Sequence, residues 1–128
     1  MAAGKVLVVE DDADVRELLH EVLVPLGYEL SAMAQPPRDV AEVARRRPDV
    51  VLLDLHFGAG EAGWQLLERL KEHDETRALP VVICTASVAA VAGQEERLNH
   101  SGVRVMHKPF DLDRLDGELR AAIESRAA

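Results

Sequence analysis

The chain is poor in thiol, in positive charge and in long apolar runs, and each shortage closes off a class of function. Cys84 is its one cysteine among 128 residues, so no disulfide can form within the chain, which fits a reducing compartment. Because Cys84 lies inside an apolar run, we expect a buried, inert thiol. No apolar segment is long enough to span a bilayer, and Lys5 and Glu10 interrupt the N-terminal stretch too early for a signal-peptide core. The chain is therefore expected to be cytoplasmic, with no membrane partner. Lys and Arg number 15 against 23 Asp and Glu, a net charge of -8, which opposes binding to polyanions. Direct nucleic-acid binding is not expected. Arg45, Arg46 and Arg47 are the local exception, and they read as solvated cations complementing a helix C-terminus. No histidine pair has metal-type spacing. No linker, repeat or low-complexity tract appears, so residues 1–128 read as a single domain around one core.

What the chain does have is alternation. Short β-branched runs follow longer segments of helical period, the pattern of repeated βα units in an α/β fold: a doubly wound, five-stranded parallel sheet with helices on both faces. The first strand is expected over 5–10. Val15, Leu18, Leu19, Val22 and Leu23 then share the spacing of one helical face, with Pro25 and Gly27 as stop signals. A second or edge strand is expected over 28–33. Pro36 and Pro37 are read as opening a helix that runs to about Arg46 and is closed by Pro48. Val50 to Leu53, the most continuous apolar run, predicts a central strand covered on both faces. Gly58, Gly60 and Gly63 mark a loop. Trp64, Leu66, Leu67 and Leu70 supply the next helix, Pro80 leads into a strand over 81–85, a weak helix spans 87–100, a fifth strand covers 103–107, and Leu112, Leu115, Leu119 and Ile123 give a last amphipathic helix.

Four of the apolar runs end in chemistry. Glu10 ends the first strand with Asp11 and Asp12 directly after it, Asp54 ends the central one, Thr85 ends the fourth, and Lys108 follows the fifth. In an open parallel α/β sheet the ligand site lies beyond the carboxyl ends of the strands, so these residues converge. Gathered carboxylates repel one another by about 4 kcal/mol per pair at ~4 Å and an effective dielectric near 20, so the site needs a cation or a proton. Oxygen-only ligands suit Mg2+, which keeps several waters and takes one or two carboxylates plus a phosphoryl oxygen. Asp54 is then the candidate nucleophile, able to form an aspartyl-phosphate, with Thr85 and Lys108 positioned to hold the phosphoryl oxygens. The bland alternative for the acidic triplet is a solvated strand-to-helix turn with Asp12 as N-cap. On residue type alone the metal pair is expected at Asp11 and Asp12.

The segments VLVVEDDADVRELL, VVLLDL, VVICTA and HKPF together resemble the receiver domain of two-component response regulators, over nearly the whole chain. The resemblance implies a flavodoxin-like (βα)5 fold and assigns the metal pair to Glu10 and Asp11, leaving Asp12 to start the turn. It implies Asp54 as phospho-acceptor, the main-chain carbonyl of His56 as a further Mg2+ ligand, Thr85 as the switch hydroxyl and Lys108 as the phosphate-pairing lysine, with a cis peptide before Pro109. Ala86 matches the small residue beside the phosphoryl group, and His56 and Ser87 match the positions that set hydrolysis rate. The implied partners are a sensor histidine kinase or histidine phosphotransfer protein, and a downstream protein target or fused output domain. The implied activity is signalling rather than enzymatic turnover, limited to self-phosphorylation and slow autodephosphorylation. Val105 departs from the pattern, since an aromatic residue often stands there, and the loop HFGAGEAGW lacks the usual proline. Two other functions compete: a receiver-like scaffold that is not phosphorylated, and an aspartyl-phosphate phosphatase. The second wants an Asp two residues after the nucleophile, where this chain has His56. A flavin binder ranks below both, because the acidic turn after the first strand would repel phosphate.

Overall fold

The computed structural model describes residues 3–35, 37–54, 62–85, 102–107 and 111–127. Five strands lie in one parallel sheet: β1 (Gly4–Val9), β2 (Tyr28–Met33), β3 (Val50–Asp54), β4 (Val81–Thr85) and β5 (Val103–His107). Their order is β2-β1-β3-β4-β5, so the chain reverses its direction of winding between β1 and β3. Four helices are described: α1 (Ala13–Leu23), α2 (Ala41–Arg46), α3 (Ala62–Glu72) and α4 (Leu112–Ala127).

The sheet is covered on both faces, as the continuous apolar runs require. Val6, Val8, Val50, Leu52, Val82 and Met106 point to one face and pack with Leu19 and Leu23 of α1 and Leu115 and Leu119 of α4. The alternate residues Leu7, Val9, Val51, Leu53, Val81 and Ile83 point to the other and pack with Val43 of α2 and Leu66, Leu67 and Leu70 of α3. Each of these side chains, fully buried, contributes roughly 1.5–3 kcal/mol. The central strand β3 buries its four apolar residues and leaves only Asp54 part-exposed at its exit.

Helix ends follow local chemistry. Asp12 caps α1, its Oδ1 accepting from the amides of Asp14 at 2.9 Å and Val15 at 3.4 Å. Pro25 fits a short 3-10 turn, Val24–Leu26, that extends α1, and Gly27 then turns the chain at φ 98°, in the left-handed region glycine tolerates. The amide of Gly27 donates to Val24 O at 3.0 Å, and β2 begins at the next residue.

Five expectations are corrected. β1 runs from Gly4 to Val9, so Glu10 stands just past the strand rather than within it. Pro37 is not helical, and α2 starts only at Ala41, where Asp39 Oδ1 accepts the Ala41 amide at 2.9 Å; the side-chain acceptor, not proline, sets the entry. Gly63 lies buried inside α3 rather than in a loop. Leu18 is 57% exposed, because at 3.6 residues per turn it lies about 120° around α1 from the midline of buried Leu19 and Leu23. Arg46 is not a solvated cation: its Nη1 donates to Ser31 Oγ at 2.6 Å and to Ala32 O at 3.1 Å, tying α2 to the edge strand β2. The expected helix over 87–100 and the glycines at 58 and 60 lie outside the described residues. Among the described residues, no helix is long and apolar enough to cross a membrane.

Candidate functional site at the β1/β3 switch point

Parallel pairing brings the chemistry-bearing strand ends together. Val9 pairs with Leu53, so Glu10 and Asp54 leave adjacent strands at the same level. Asp54 in turn pairs with Cys84, and Thr85, one residue beyond, pairs with His107. Neighbouring strands lie roughly 4.8 Å apart, so the exits of β1, β3 and β4 are within reach of one small ligand. The site falls where the strand order reverses, the usual ligand position in a doubly wound sheet.

Glu10 is 4% exposed, although it follows directly on a strand and precedes two exposed aspartates. A solvated turn does not account for a buried carboxylate, which needs hydrogen bonds or a cation around it. The Asp12 amide donates to Glu10 Oε2 at 3.5 Å. The main chain of Glu10 is fixed on both sides: its amide donates to Met33 O at 3.1 Å, and its carbonyl accepts from Arg16 Nη1 at 2.7 Å. Arg16 went unassigned in the sequence reading. Its position six residues after Glu10, one turn into α1, was the available signal.

Asp11 is exposed and Asp12 is committed to the helix cap. The solvated-turn reading therefore holds for Asp12 and fails for Glu10. Asp54 and Glu10 line one cavity of about 30 Å³ between β1, β3 and α1, together with Val8, Leu19, Leu52 and Cys84. Cys84 is buried, as expected, and stands beside Asp54. Thr85 is fully buried at the end of β4. His56, Ala86, Ser87, Lys108 and Pro109 lie outside the described residues.

Among the described residues, no three His, Cys, Asp or Glu side chains form a complete metal-binding group. The donors that are present nonetheless fit Mg2+ in kind. Glu10 and Asp54 offer oxygen only, one of them buried, and both face the same small cavity; a hard cation held by two carboxylates and otherwise by water suits that set.

Comparison with known proteins agrees with this geometry. Residues 6–120 match the model of the response regulator receiver domain. The chain belongs to the response regulator receiver family. Sporulation initiation phosphotransferase F of Bacillus subtilis is 34% identical to it over 124 residues, covering 97% of this chain and 94% of that protein. The phosphate regulon transcriptional regulatory protein PhoB of Pseudomonas aeruginosa is 30% identical over 96% of this chain, which spans only 53% of PhoB. The receiver domain of the sensor histidine kinase PA1611 from Pseudomonas aeruginosa, solved with a magnesium ion coordinated in its active-site cleft, superposes with a TM-score of 0.78 at 25% identity, covering 96% of this chain and 99% of that one. The present receiver domain thus has the fold, strand order and two-component signalling role of its family.

Proposed function

We propose that Asp54 is the phospho-acceptor of this receiver domain and that the whole chain, 1–128, acts as one signalling unit. In the reaction a carboxylate oxygen of Asp54 attacks phosphorus, the bond from phosphorus to the imidazole nitrogen of a partner's phosphohistidine breaks, and the nitrogen leaves with the bonding pair. The donor is a sensor histidine kinase or a histidine phosphotransfer protein. Glu10, Asp11, Asp54 and the main-chain carbonyl of His56 would hold Mg2+, which when bound supplies positive charge beside the phosphoryl oxygens. Glu10 and Arg16 keep the β1 exit in place, the Thr85 hydroxyl bonds a phosphoryl oxygen, and Lys108 pairs with its charge. Phosphorylation adds about -1.5 to -2 units of charge beside Thr85, which biases the protein between two surface states read by a downstream target or a fused output domain. On this proposal the domain is an acceptor with slow autodephosphorylation, not a turnover enzyme, and it acts in the cytoplasm.

The observation that carries this reading is the buried carboxylate of Glu10 sharing a cavity with Asp54 at the β1/β3 switch point. Incubation with acetyl phosphate and Mg2+ should add one phosphate to the wild-type chain and none to Asp54→Ala. Equal labelling of both proteins, or no mass change in either, rejects Asp54 as the acceptor.

A further inference from the structure

β2 lies at the edge of the sheet, so one side of its main chain is turned away from β1. Successive residues of a strand direct their amide and carbonyl to opposite sides. Met33 O accepts the Glu10 amide at 3.1 Å, and Gly27 O accepts the Ala3 amide at 2.9 Å, so the odd-numbered residues here point inward to β1. Tyr28, Leu30 and Ala32 therefore present their main-chain groups outward, and Ala32 O is indeed the carbonyl that Arg46 reaches from α2. No proline or bulge interrupts the strand, whose six residues keep one register with β1. An open row of this kind is a template for another strand.

The side chains along the edge carry opposite charges two residues apart. Glu29 and Ser31 lie on the same face as buried Met33, which packs in the α2/α3 core, and Glu29 is exposed. Arg46 Nη1 stands on that face too, 2.6 Å from Ser31 Oγ and 3.1 Å from Ala32 O. Because the Ser31 hydroxyl holds it there, the second lone pair of the Ala32 carbonyl is left for a donor in the plane of the sheet. On the other face Leu30 packs against the α1/α4 core and Ala32 is exposed, and neither carries a charge that would repel a strand.

We propose that the β2 edge is a self-association surface, at which two copies of this chain pair antiparallel about a two-fold axis through Leu30. Outward residues then meet outward residues: Leu30 faces the partner's Leu30, and Tyr28 faces the partner's Ala32, so their amides and carbonyls bond in pairs. Glu29 falls opposite the partner's Ser31, with Cβ atoms roughly 4.5–5.5 Å apart, on the face where the partner's Arg46 is held. An equivalent acid–guanidinium contact forms on the other side of the axis. Charge selects this register. An axis through Glu29 would set two carboxylates against each other, and one through Ser31 would bring two Arg46 guanidiniums together. An unrelated extended peptide would satisfy the main chain equally, but a second copy brings a matching charge to both ends. The net charge of -8 on each copy opposes the approach, which puts the pairing in the weak, small-interface class. The proposal does not rest on the reading of Asp54.

Sedimentation of the intact, unphosphorylated chain from about 10 µM to about 1 mM should show a mass rising toward that of a dimer. Glu29→Arg should weaken the association at least fivefold, and Glu29→Arg combined with Arg46→Glu should recover most of that loss. Ala32→Pro removes one outward amide while leaving the ladder to β1, and should weaken it at least tenfold. A chain that stays monomeric at about 1 mM overturns the proposal, as does a dimer that neither Glu29→Arg nor Ala32→Pro affects. Hydrogen exchange tests the same edge in the wild type. The amides of Tyr28, Leu30 and Ala32 should slow several-fold between the two concentrations, whereas those of Glu29, Ser31 and Met33, which face β1, should change little. No difference between the two sets rules out pairing at this edge. Protection of the outward amides only on adding an unrelated extended peptide, in a chain that remains monomeric, assigns the edge to a different strand and overturns the second-copy proposal.

Discussion

Tyr28 provides the sharpest physical test of how the helix α4 is held to the sheet. It is the chain's one tyrosine, and it is buried at the start of the edge strand β2. Its hydroxyl donates to Asp116 Oδ1 at 2.5 Å, the same carboxylate accepts from Arg120 Nε at 2.9 Å, and the Arg120 guanidinium lies 5.8 Å from the centre of the tyrosine ring. A hydrogen bond to a charged group contributes about 1.5–3 kcal/mol, and because Asp116 is 26% exposed we take the lower end, about 1.5 kcal/mol, for Tyr28→Phe near neutral pH. In urea that corresponds to a midpoint lower by about 1 M, with no change in slope.

The same contact makes a second, opposite-signed prediction at high pH. Burial first, and then the Asp116 carboxylate, push the tyrosine pKa far above its ordinary value in the folded protein. A group with a raised folded pKa contributes stability that is fully present below its unfolded pKa, about 10, and that is lost as pH rises toward the folded value. Between pH 8 and 11 the unfolded tyrosine ionises and the folded one does not, so wild type should lose about 1.4 kcal/mol relative to Tyr28→Phe, and the two proteins should converge near pH 11. Urea melts of both proteins at the two pH values measure this directly. Absorbance of tyrosinate near 295 nm adds an independent check, since the folded chain should show no ionisation where a free tyrosine is half titrated. A folded midpoint near 10, or a stability difference that stays constant with pH, would refute the reasoning.

Asp12→Ala removes the α1 cap and should cost about 1 kcal/mol in stability while leaving Mg2+ affinity within twofold, whereas Glu10→Gln should weaken Mg2+ binding by about tenfold or more; titration followed by the fluorescence of the single Trp64 separates the two. At Gly4, φ is 148° and an added Cβ would lie 2.6 Å from Ile123 Cδ1, so Gly4→Ala should destabilise by about 1–3 kcal/mol, with partial recovery when combined with Ile123→Val. Thermal melts of the two single variants and the double variant decide that point, and strict additivity would rule out the contact.

Much of the architecture was legible because periodicity and chemistry agreed. The runs Val50 to Leu53 and Val81 to Cys84 carry no polar residue that would expose a face, and both became strands buried on two sides. The boundaries failed where a side-chain acceptor overrode composition: Pro36 and Pro37 suggested a helix start, but Asp39, two residues after Pro37, supplies the acceptor for the amide of Ala41, where the helix begins. Gly63 misled in the other direction, because glycine costs a helix only about 1 kcal/mol relative to alanine and is tolerated at a buried position of α3. Arg46 looked like one of three equivalent cations, and only the tertiary placement of Ser31 beside α2 distinguishes it. At the site, residue type favoured Asp11 and Asp12 among three adjacent acidic side chains. Burial separates them, since Glu10 is enclosed, Asp11 exposed and Asp12 spent on the cap.

The separation of Glu10 from Asp12 also bears on how the site and the rest of the sheet are linked. Glu10 shares its side of the sheet with Val8, Asp54 with Leu52 and Cys84 with Val82, all on the face covered by α1 and α4. Thr85 has the register of Val81 and Ile83, which face α2 and α3, and the ladder continues from Thr85 to His107 and from Ile83 to Val105. On the proposed chemistry, a phosphoryl group on Asp54 would act on a hydroxyl that belongs to the opposite layer. A change at Thr85 would then reach β5 through the β4/β5 pairing, where Val105 packs half-buried against the α2/α3 core. A small β-branched side chain at that point has few rotamers to exchange. On that proposal, transmission would run through displacement of the paired strands rather than through rotation of a large ring at position 105, and the packing of β5 would be the quantity that distinguishes the two proposed surface states.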